Sequence, residues 1–477
     1  AGKTYTACLA AYRMLSYTPM RRVLFLVDRN NLGKQAEGEF GTFRLTENGE
    51  AFNTIFTVNR LCSSSIPSDS NVVISTIQRL FSFLKGETIE DNDDDENEPI
   101  EEVTLPPNPN LPHDYFDMII IDECHRSIYG NWRKVLEYFD TARLVGLTAT
   151  PIPETMAFFN NNCIVNYTLE KSIVDGVNVD CRVYRIKTQV TETGGAILEG
   201  EKFKEETRYT GEVKIVSSKE TKIYTNKELN RSIINPAQIK LVLSTYRDVV
   251  YTELFNDPQR EPNMDFLPKT LIFALNEAHA TNIVQIAKEV FGRTDDRFVQ
   301  KITYSAGDSN ELIRQFRNDK DFRIAVTCTL VATGTDVKPL EVVMFMRDVE
   351  SLPLYIQMKG RGVRTIGDEQ LRNVTPNAFS KDCFYLVDAV GVTEHAQTVA
   401  PIDDAPTTKT ITLKELLERI SHGYIPDEYL KRLAATLARI YNKADDPQRK
   451  EFVRLSHDDM KELSARIYDA LEKGILP

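Results

Sequence analysis

Residues 118–125 read Met-Ile-Ile-Ile-Asp-Glu-Cys-His: four apolar residues running straight into two acids. An unbroken apolar run of this length suits a strand buried on both faces, as in a parallel sheet covered by helices. Two acids at its end repel each other unless a cation lies between them. The carboxyl edge of a parallel sheet is also where ligands bind. Similar runs occupy residues 22–27 (RVLFLV), 72–75 (VVIS) and 144–147 (LVGL). Before the first of these, Cys8, Ala11, Tyr12 and Leu15 recur at helical spacing. The alternation predicts a βα sheet over residues 1–180.

A second series follows the same rule. Its candidate strands are residues 270–274 (TLIFA), 301–304 (KITY), 324–327 (IAVT), 342–346 (VVMFM) and 384–387 (FYLV). They predict a second, similar parallel-sheet domain over residues 227–400. Between the two, residues 181–226 carry Val183, Tyr184, Ile186, Thr193-Gly194-Gly195 and many charges, which predicts a β-hairpin-like connector. Residues 224–255 read as mostly helical. Residues 398–408, with Pro401, Asp403-Asp404 and Pro406, read as a linker. Beyond it, Leu430, Leu433, Ala434, Leu437 and Tyr441 form one helical stripe, and Met460, Leu463, Ile467 and Leu471 another. Residues 401–477 are thus expected to be a small helical domain.

The bulk numbers agree with this division. At roughly 100–200 residues per domain, 477 residues hold about three domains. The formal charge is −12, but ten acids and no bases lie between Glu87 and Glu102, leaving about −2 for the rest. That block reads as a solvated loop, so total charge does not exclude a local basic track for phosphates. Seven scattered cysteines at no metal-ligand spacing read as reduced thiols of a cytoplasmic protein. No apolar run reaches membrane-spanning length. The opening Ala1-Gly2-Lys3-Thr4 has neither an initiator Met nor a signal peptide, and a piece of a longer protein is expected.

Ala1-Gly2-Lys3-Thr4 matches the last four residues of a phosphate-binding loop, in which Lys reaches the β/γ-phosphates and the Thr hydroxyl holds Mg²⁺. Gly2 lets backbone N–H groups approach the anion, and the helical pattern after Thr4 aims a positive helix end at it. Asp122 would hold Mg²⁺ and Glu123 would orient and deprotonate a water. His125, in the same tetrad, would couple sites. Thr148 and Thr150, in Leu-Thr-Ala-Thr-Pro at 147–151, follow another strand and could bond the neighbouring acids. In residues 357–364 (QMKGRGVR), Gln357, Arg361 and Arg364 would share one face if the segment were helical, with Ser351 and Pro353 at its start. Guanidinium groups opposite a phosphate stabilise charge on a transferring phosphoryl group.

In this order, GKT, DECH, TATP, TGTD and QMKGRGVR resemble motifs I, II, III, V and VI of the helicase superfamily 2 motor. Finer stretches resemble the R subunit of type I restriction enzymes: VLFLVDRNNLGKQA from Val23, ISTIQRL from Ile74, DECHRS, ATGTDVKPL from Ala332, FMRD from Phe345 and VDAVGVTEH from Val387. The acidic block is the clearest departure. The resemblance implies two tandem RecA-like domains and a C-terminal helical domain. It implies ATP and Mg²⁺ as cofactors, double-stranded DNA as the track, and methyltransferase and specificity subunits as partners. It implies ATP-driven translocation, with cutting by a nuclease domain upstream of Ala1. Gly2, Lys3, Thr4, Asp122, Glu123, Arg361 and Arg364 would form the ATP site, in a cleft between the two sheets. Asp336 and Gln357 would contact nucleotide or couple it to DNA. Arg29, Thr76, Gln78 and Arg79 would touch DNA backbone. Another superfamily 2 helicase, acting on RNA or DNA, and a non-catalytic scaffold stay open as alternatives.

Overall fold

The computed structural model describes residues 2–27, 30–45, 49–62, 65–86, 105–128, 130–186, 195–197, 202–206, 213–217, 222–224, 233–234, 236–303, 308–328, 336–349, 351–393, 413–421 and 427–472. The acidic block and residues 398–408 lie outside them. The chain divides into two compact units, Ala1–Asn166 and Tyr167–Pro477. Among the described residues no helix is long and apolar enough to cross a membrane.

The first unit runs α1 (Lys3–Tyr17), β1 (Val23–Val27), α2 (Asn30–Thr42), α3 (Phe52–Ile55), β2 (Val58–Arg60), β3 (Val72–Thr76), α4 (Ile77–Lys85), β4 (Met118–Asp122), α5 (Cys124–Ser127), α6 (Gly130–Tyr138), β5 (Arg143–Leu147) and α7 (Pro153–Phe158). Its strands form one sheet in the order β2-β3-β1-β4-β5, parallel throughout. The apolar runs have a simple cause. Leu24, Leu26, Val73, Ile119 and Ile121 pack with Leu80 of α4 and Val135 of α6. Their neighbours Val23, Phe25, Val72, Ile74 and Ile120 pack with Ala7 and Ala11 of α1 and Phe40 of α2. With both faces covered, the strand interiors are almost wholly apolar, and the buried Ser75 of β3 spends its hydroxyl on the Thr76 carbonyl.

The second unit opens with α8 (Leu169–Val174) and β6 (Asp180–Arg185). Five short strands follow: β7 (Gly195–Ile197), β8 (Lys202–Glu206), β9 (Val213–Ser217), β10 (Lys222–Tyr224) and β11 (Ile233–Ile234), paired antiparallel in two small sheets. Then come α9 (Pro236–Val249) with a π-helical extension (Val250–Leu254), β12 (Thr270–Phe273), α10 (Glu277–Val290), β13 (Val299–Lys301), α11 (Ser309–Asn318), β14 (Ile324–Thr327), β15 (Val342–Phe345), α12 (Leu352–Lys359), α13 (Asp368–Val374) and β16 (Cys383–Asp388). The last elements are α14 (Leu413–Ser421), α15 (Asp427–Lys443), α16 (Asp446–Ser456) and α17 (Met460–Glu472). The main sheet is parallel, in the order β13-β14-β12-β15-β16-β6. These are two tandem RecA-like domains with a helical C-terminal region, as expected.

Two boundaries differ from the sequence reading. The first unit ends at Asn166 rather than at 180, and the antiparallel connector starts after residue 186 rather than at Cys181. Residues 180–185 instead pair with Cys383–Asp388 as an edge strand of the second sheet. An edge strand has one unpaired side, so polar residues are tolerated there, and DCRVYR resembled a connector for that reason. The helical reading of residues 224–255 holds from Pro236 onward, and β10 and β11 precede it. The C-terminal helices pack on α8: Thr168 and Tyr468 share a 2.7 Å hydroxyl bond, and Arg439 pairs with Asp180 at 3.3 Å. Both predicted apolar stripes fall on helices, α15 and α17.

Beneath the second sheet, at the N-terminal ends of its strands, lies a cluster of buried charges. Arg260 makes a two-pronged pair with Glu341, 2.6 and 3.3 Å. Arg323 gives its guanidinium to the carbonyls of Leu267, Lys320 and Val374 and to the Thr375 hydroxyl. Lys269 is 0% exposed and donates to the carbonyls of Asp319 and Phe322. Burial, with Arg323 alongside, pushes Lys269 down to about 6. In the unfolded chain a lysine titrates near ~10.4. Between pH 7 and 8.5 the unfolded chain therefore holds a proton that the folded one has released. Stability of the second unit should rise with pH across that window, by up to ~1.4 kcal/mol per pH unit from this group, and fall as the pH drops towards 6. Lys381, held at about 7 by burial, adds in the same direction. Urea unfolding at the two pH values reads this. A flat response, or a rise that Lys269→Met leaves unchanged, would contradict it.

Candidate active site

Gly2 adopts a left-handed conformation (φ 79°) immediately before α1, a turn that other residues take at a cost. The first-turn N–H groups of α1 have no intrahelical acceptor, and no acid occupies that turn. The helix thus presents a positive end, with Lys3 and Thr4 at it. β4, paired directly with β1, delivers Asp122 and Glu123 to the same place. Lys3 Nζ lies 3.3 Å from Asp122 Oδ1 and makes a closer bond to Glu123. Burial works against the Lys3 charge, yet the two acids outweigh it and hold its pKa above the ordinary lysine value. Burial raises Asp122, with Lys3 opposing and Glu123 adding.

Local packing fixes this arrangement. Glu123 is itself left-handed (φ 49°, ψ 45°), which turns the chain out of β4 into α5. The Glu123 N–H is held by Asp122 Oδ1 at 3.0 Å. The buried Cys124 then meets β5 at Gly146, where an added Cβ would stand 2.8 Å from Cys124 Sγ and 2.6 Å from the Phe159 ring. Glu123 Oε2 faces His125 Nδ1 at 3.5 Å, and the same nitrogen bonds the Thr148 hydroxyl at 3.0 Å, with Thr150 at 3.5 Å. The structure therefore brings together Lys3, Asp122, Glu123, His125, Thr148 and Thr150.

Two carboxylates sharing one lysine leave a net charge of about −1, which suits a divalent cation that brings phosphate with it. Among the described residues no group of three or more His, Cys, Asp or Glu could hold a metal. One or two protein ligands, completed by phosphate and water, is how Mg²⁺ is usually held. The donor set here, Thr4 and Asp122, fits that pattern.

The second unit carries the other motifs. α12 begins where Ser351 and Pro353 predicted, with the Ser351 hydroxyl capping Leu354 N. It stops at Lys359, so Gln357, Arg361 and Arg364 do not share one helix face. The cause is the pair of glycines. Gly360 ends the helix, and Gly362 lies against the buried Phe384 ring so closely that a Cβ would come within 2.1 Å of it. The chain then extends. Arg364 forms a β-bridge with Asn178, and Val179 N donates to Val363 O at 2.8 Å. Arg364 Nε lies 3.5 Å from Asp336 Oδ1. Gly334 and Thr335 lie outside the described residues.

Of the four residues expected to touch nucleic-acid backbone, Thr76 and Arg79 are buried. Thr76 is buried and spends its hydroxyl on capping α4, accepting from Arg79 N. Arg79 is buried too, its guanidinium bound to the Leu61 carbonyl. Both sit inside the first unit because α4 packs its strongly apolar face there. Gln78 is half-buried, and Arg29 lies outside the described residues. Sequence reasoning also missed two structural residues. Asp388, in the VDAVGVTEH stretch, accepts the N–H groups of Val390, Gly391, Val392 and Thr393 and the Thr393 hydroxyl. Gly146 had a signal, since a lone glycine inside a strand marks close approach.

A family model described as the res subunit of type III restriction enzymes matches residues 1–153. The endonuclease subunit of type I restriction enzyme EcoKI from Escherichia coli (strain K12) is 28% identical over 446 residues, 86% of this chain and 34% of its own. The EcoAI endonuclease subunit of Escherichia coli is 27% identical over 380 residues, 76% of this chain and 40% of its own. The chain is similar to these type I endonuclease subunits over most of its own length. Its fold agrees: a fragment from Vibrio vulnificus YJ016 described as an HsdR subunit of a type I restriction enzyme superposes with a TM-score of 0.54 at 20% identity, covering 85% of this chain and 61% of that one. This chain spans only about a third to two-fifths of the two curated relatives' length.

Proposed function

We propose that this chain is the ATP-driven, double-stranded-DNA-translocating motor of a type I restriction–modification R subunit. The observation that carries the reading is Lys3 at a helix N-terminus, paired with both carboxylates at the end of β4. Lys3 and the α1 N–H groups would bind the β/γ-phosphates, and Thr4 and Asp122 would hold Mg²⁺, which neutralises phosphate charge when bound. Glu123 would orient a water and take its proton. Arg361 and Arg364 of the second unit would stabilise charge on the phosphoryl group, with Asp336 and Gln357 beside them. His125, Thr148 and Thr150, joined by hydrogen bonds, would report the state of Glu123 to the rest of the first unit. Contacts to phosphate carry no sequence information, so target choice would rest with a specificity subunit, modification with a methyltransferase subunit, and cleavage with a nuclease domain. The cytoplasm is the fitting location.

The test is ATP hydrolysis by the whole protein with no nucleic acid, duplex DNA, single-stranded DNA and RNA, with and without the partner subunits. Stimulation by duplex DNA is expected. Stimulation by RNA alone would make it an RNA helicase, and no turnover under any condition would make it a scaffold.

A further inference from the structure

Lys381 precedes β16 and is buried, yet no acidic side chain is hydrogen-bonded to it among the described residues. Its Nζ donates to two main-chain carbonyls instead, Lys338 O at 2.8 Å and Arg364 O at 2.7 Å. The two carbonyls belong to different segments. Lys338 lies two residues after Asp336, and Arg364 lies at the end of the glycine-arginine segment. The side chains of those segments meet on the other side, where Arg364 Nε faces Asp336 Oδ1 at 3.5 Å. A third tie comes from the β-bridge between Arg364 and Asn178.

A buried ammonium is costly, and an apolar side chain of similar size would fill the space. What an apolar side chain cannot do is hold two irregular segments together where no sheet hydrogen bonds join them. Gly360 and Gly362 have already released the second segment from its helix, so its backbone needs an outside fastening. We propose that Lys381 is a positioning residue that fixes the backbone of Arg364 to the segment after Asp336, and so sets where the Arg364 guanidinium stands. The proposal rests on the motor reading above, in which Arg364 acts on phosphate.

The test compares wild type, Lys381→Met, Arg364→Ala and the double variant in the whole protein with duplex DNA. Lys381→Met should lower kcat about tenfold or more while KM for ATP stays within about twofold, and the double variant should be no slower than Arg364→Ala alone. An unchanged kcat, or losses that multiply in the double variant, would overturn the proposal. Lys381→Gln keeps an amide donor and should restore part of kcat, which guards against Lys381→Met failing to fold. Hydrogen exchange gives a reading independent of hydrolysis. Residues 336–340 and 360–365 should exchange faster in Lys381→Met while β16 stays protected, and unchanged exchange there would overturn the positioning role even if the motor reading stands. A wild type without turnover but with that exchange pattern would sink the motor reading alone.

Discussion

Glu123→Gln should bind ATP and fail to turn it over. The amide keeps the size of the carboxylate and an oxygen for Lys3, and it tolerates the left-handed backbone no worse than Glu does. The fold of the first unit should therefore survive. What disappears, on the proposed mechanism, is the carboxylate that would accept a proton from water, while Lys3 and Asp122 remain in place. Loss of a positioned general base typically costs about 10²–10⁴ in rate. Affinity should hold or tighten, because removing one negative charge beside the bound phosphates lowers repulsion. Fluorescent-nucleotide binding and phosphate release measured on the same preparation separate the two effects. Turnover within about twofold of wild type would remove Glu123 from the chemistry.

Glu341→Ala should be among the most damaging substitutions for stability in the second unit. Glu341 is 1% exposed and is the carboxylate directly paired with Arg260. Its charge also favours the protonated forms of Lys269, Arg323 and Lys381, all buried. Taking away one partner of a buried pair leaves an uncompensated charge, at about 3–5 kcal/mol. Here the same deletion also removes the buried negative charge that acts on Arg323, Lys269 and Lys381. Arg260→Ala, by contrast, leaves Glu341 with Lys269 and Arg323 nearby, so it should cost less. Calorimetry or urea unfolding of the two variants checks the order. Equal losses would mean that Glu341 serves Arg260 only.

How much of this was legible in the sequence depended on how local the cause was. Met118–Asp122 could be read because a strand covered on both faces must be apolar and because its acids follow at once. Asp180–Arg185 could not, since an edge strand tolerates polar residues and its partner, Cys383–Asp388, lies some 200 residues away. Arg361 and Arg364 were expected on a helix, and they lie beyond its end. The periodicity fitted a helix, and only the Phe384 ring beneath Gly362 shows why the helix cannot continue. Arg79 matched a motif segment, and its contact with the Leu61 carbonyl is a tertiary fact. Glu341 meets Arg260 across 81 residues of sequence, which no local pattern announces.

The seating of the C-terminal helices on α8 bears on how this polypeptide can be taken apart. Val174 of α8 shares an apolar cluster with Ala434 and Tyr468, and Lys171 reaches both the Tyr468 ring and Asp469. Shortening the chain before residue 413, where the tail looks detachable on paper, would strip the cover from Val174 and leave Asp180 without Arg439. A cut between Asn166 and Tyr167 severs neither set of contacts. Separate production of the two halves should therefore divide the gene there and keep the last four helices with the second piece.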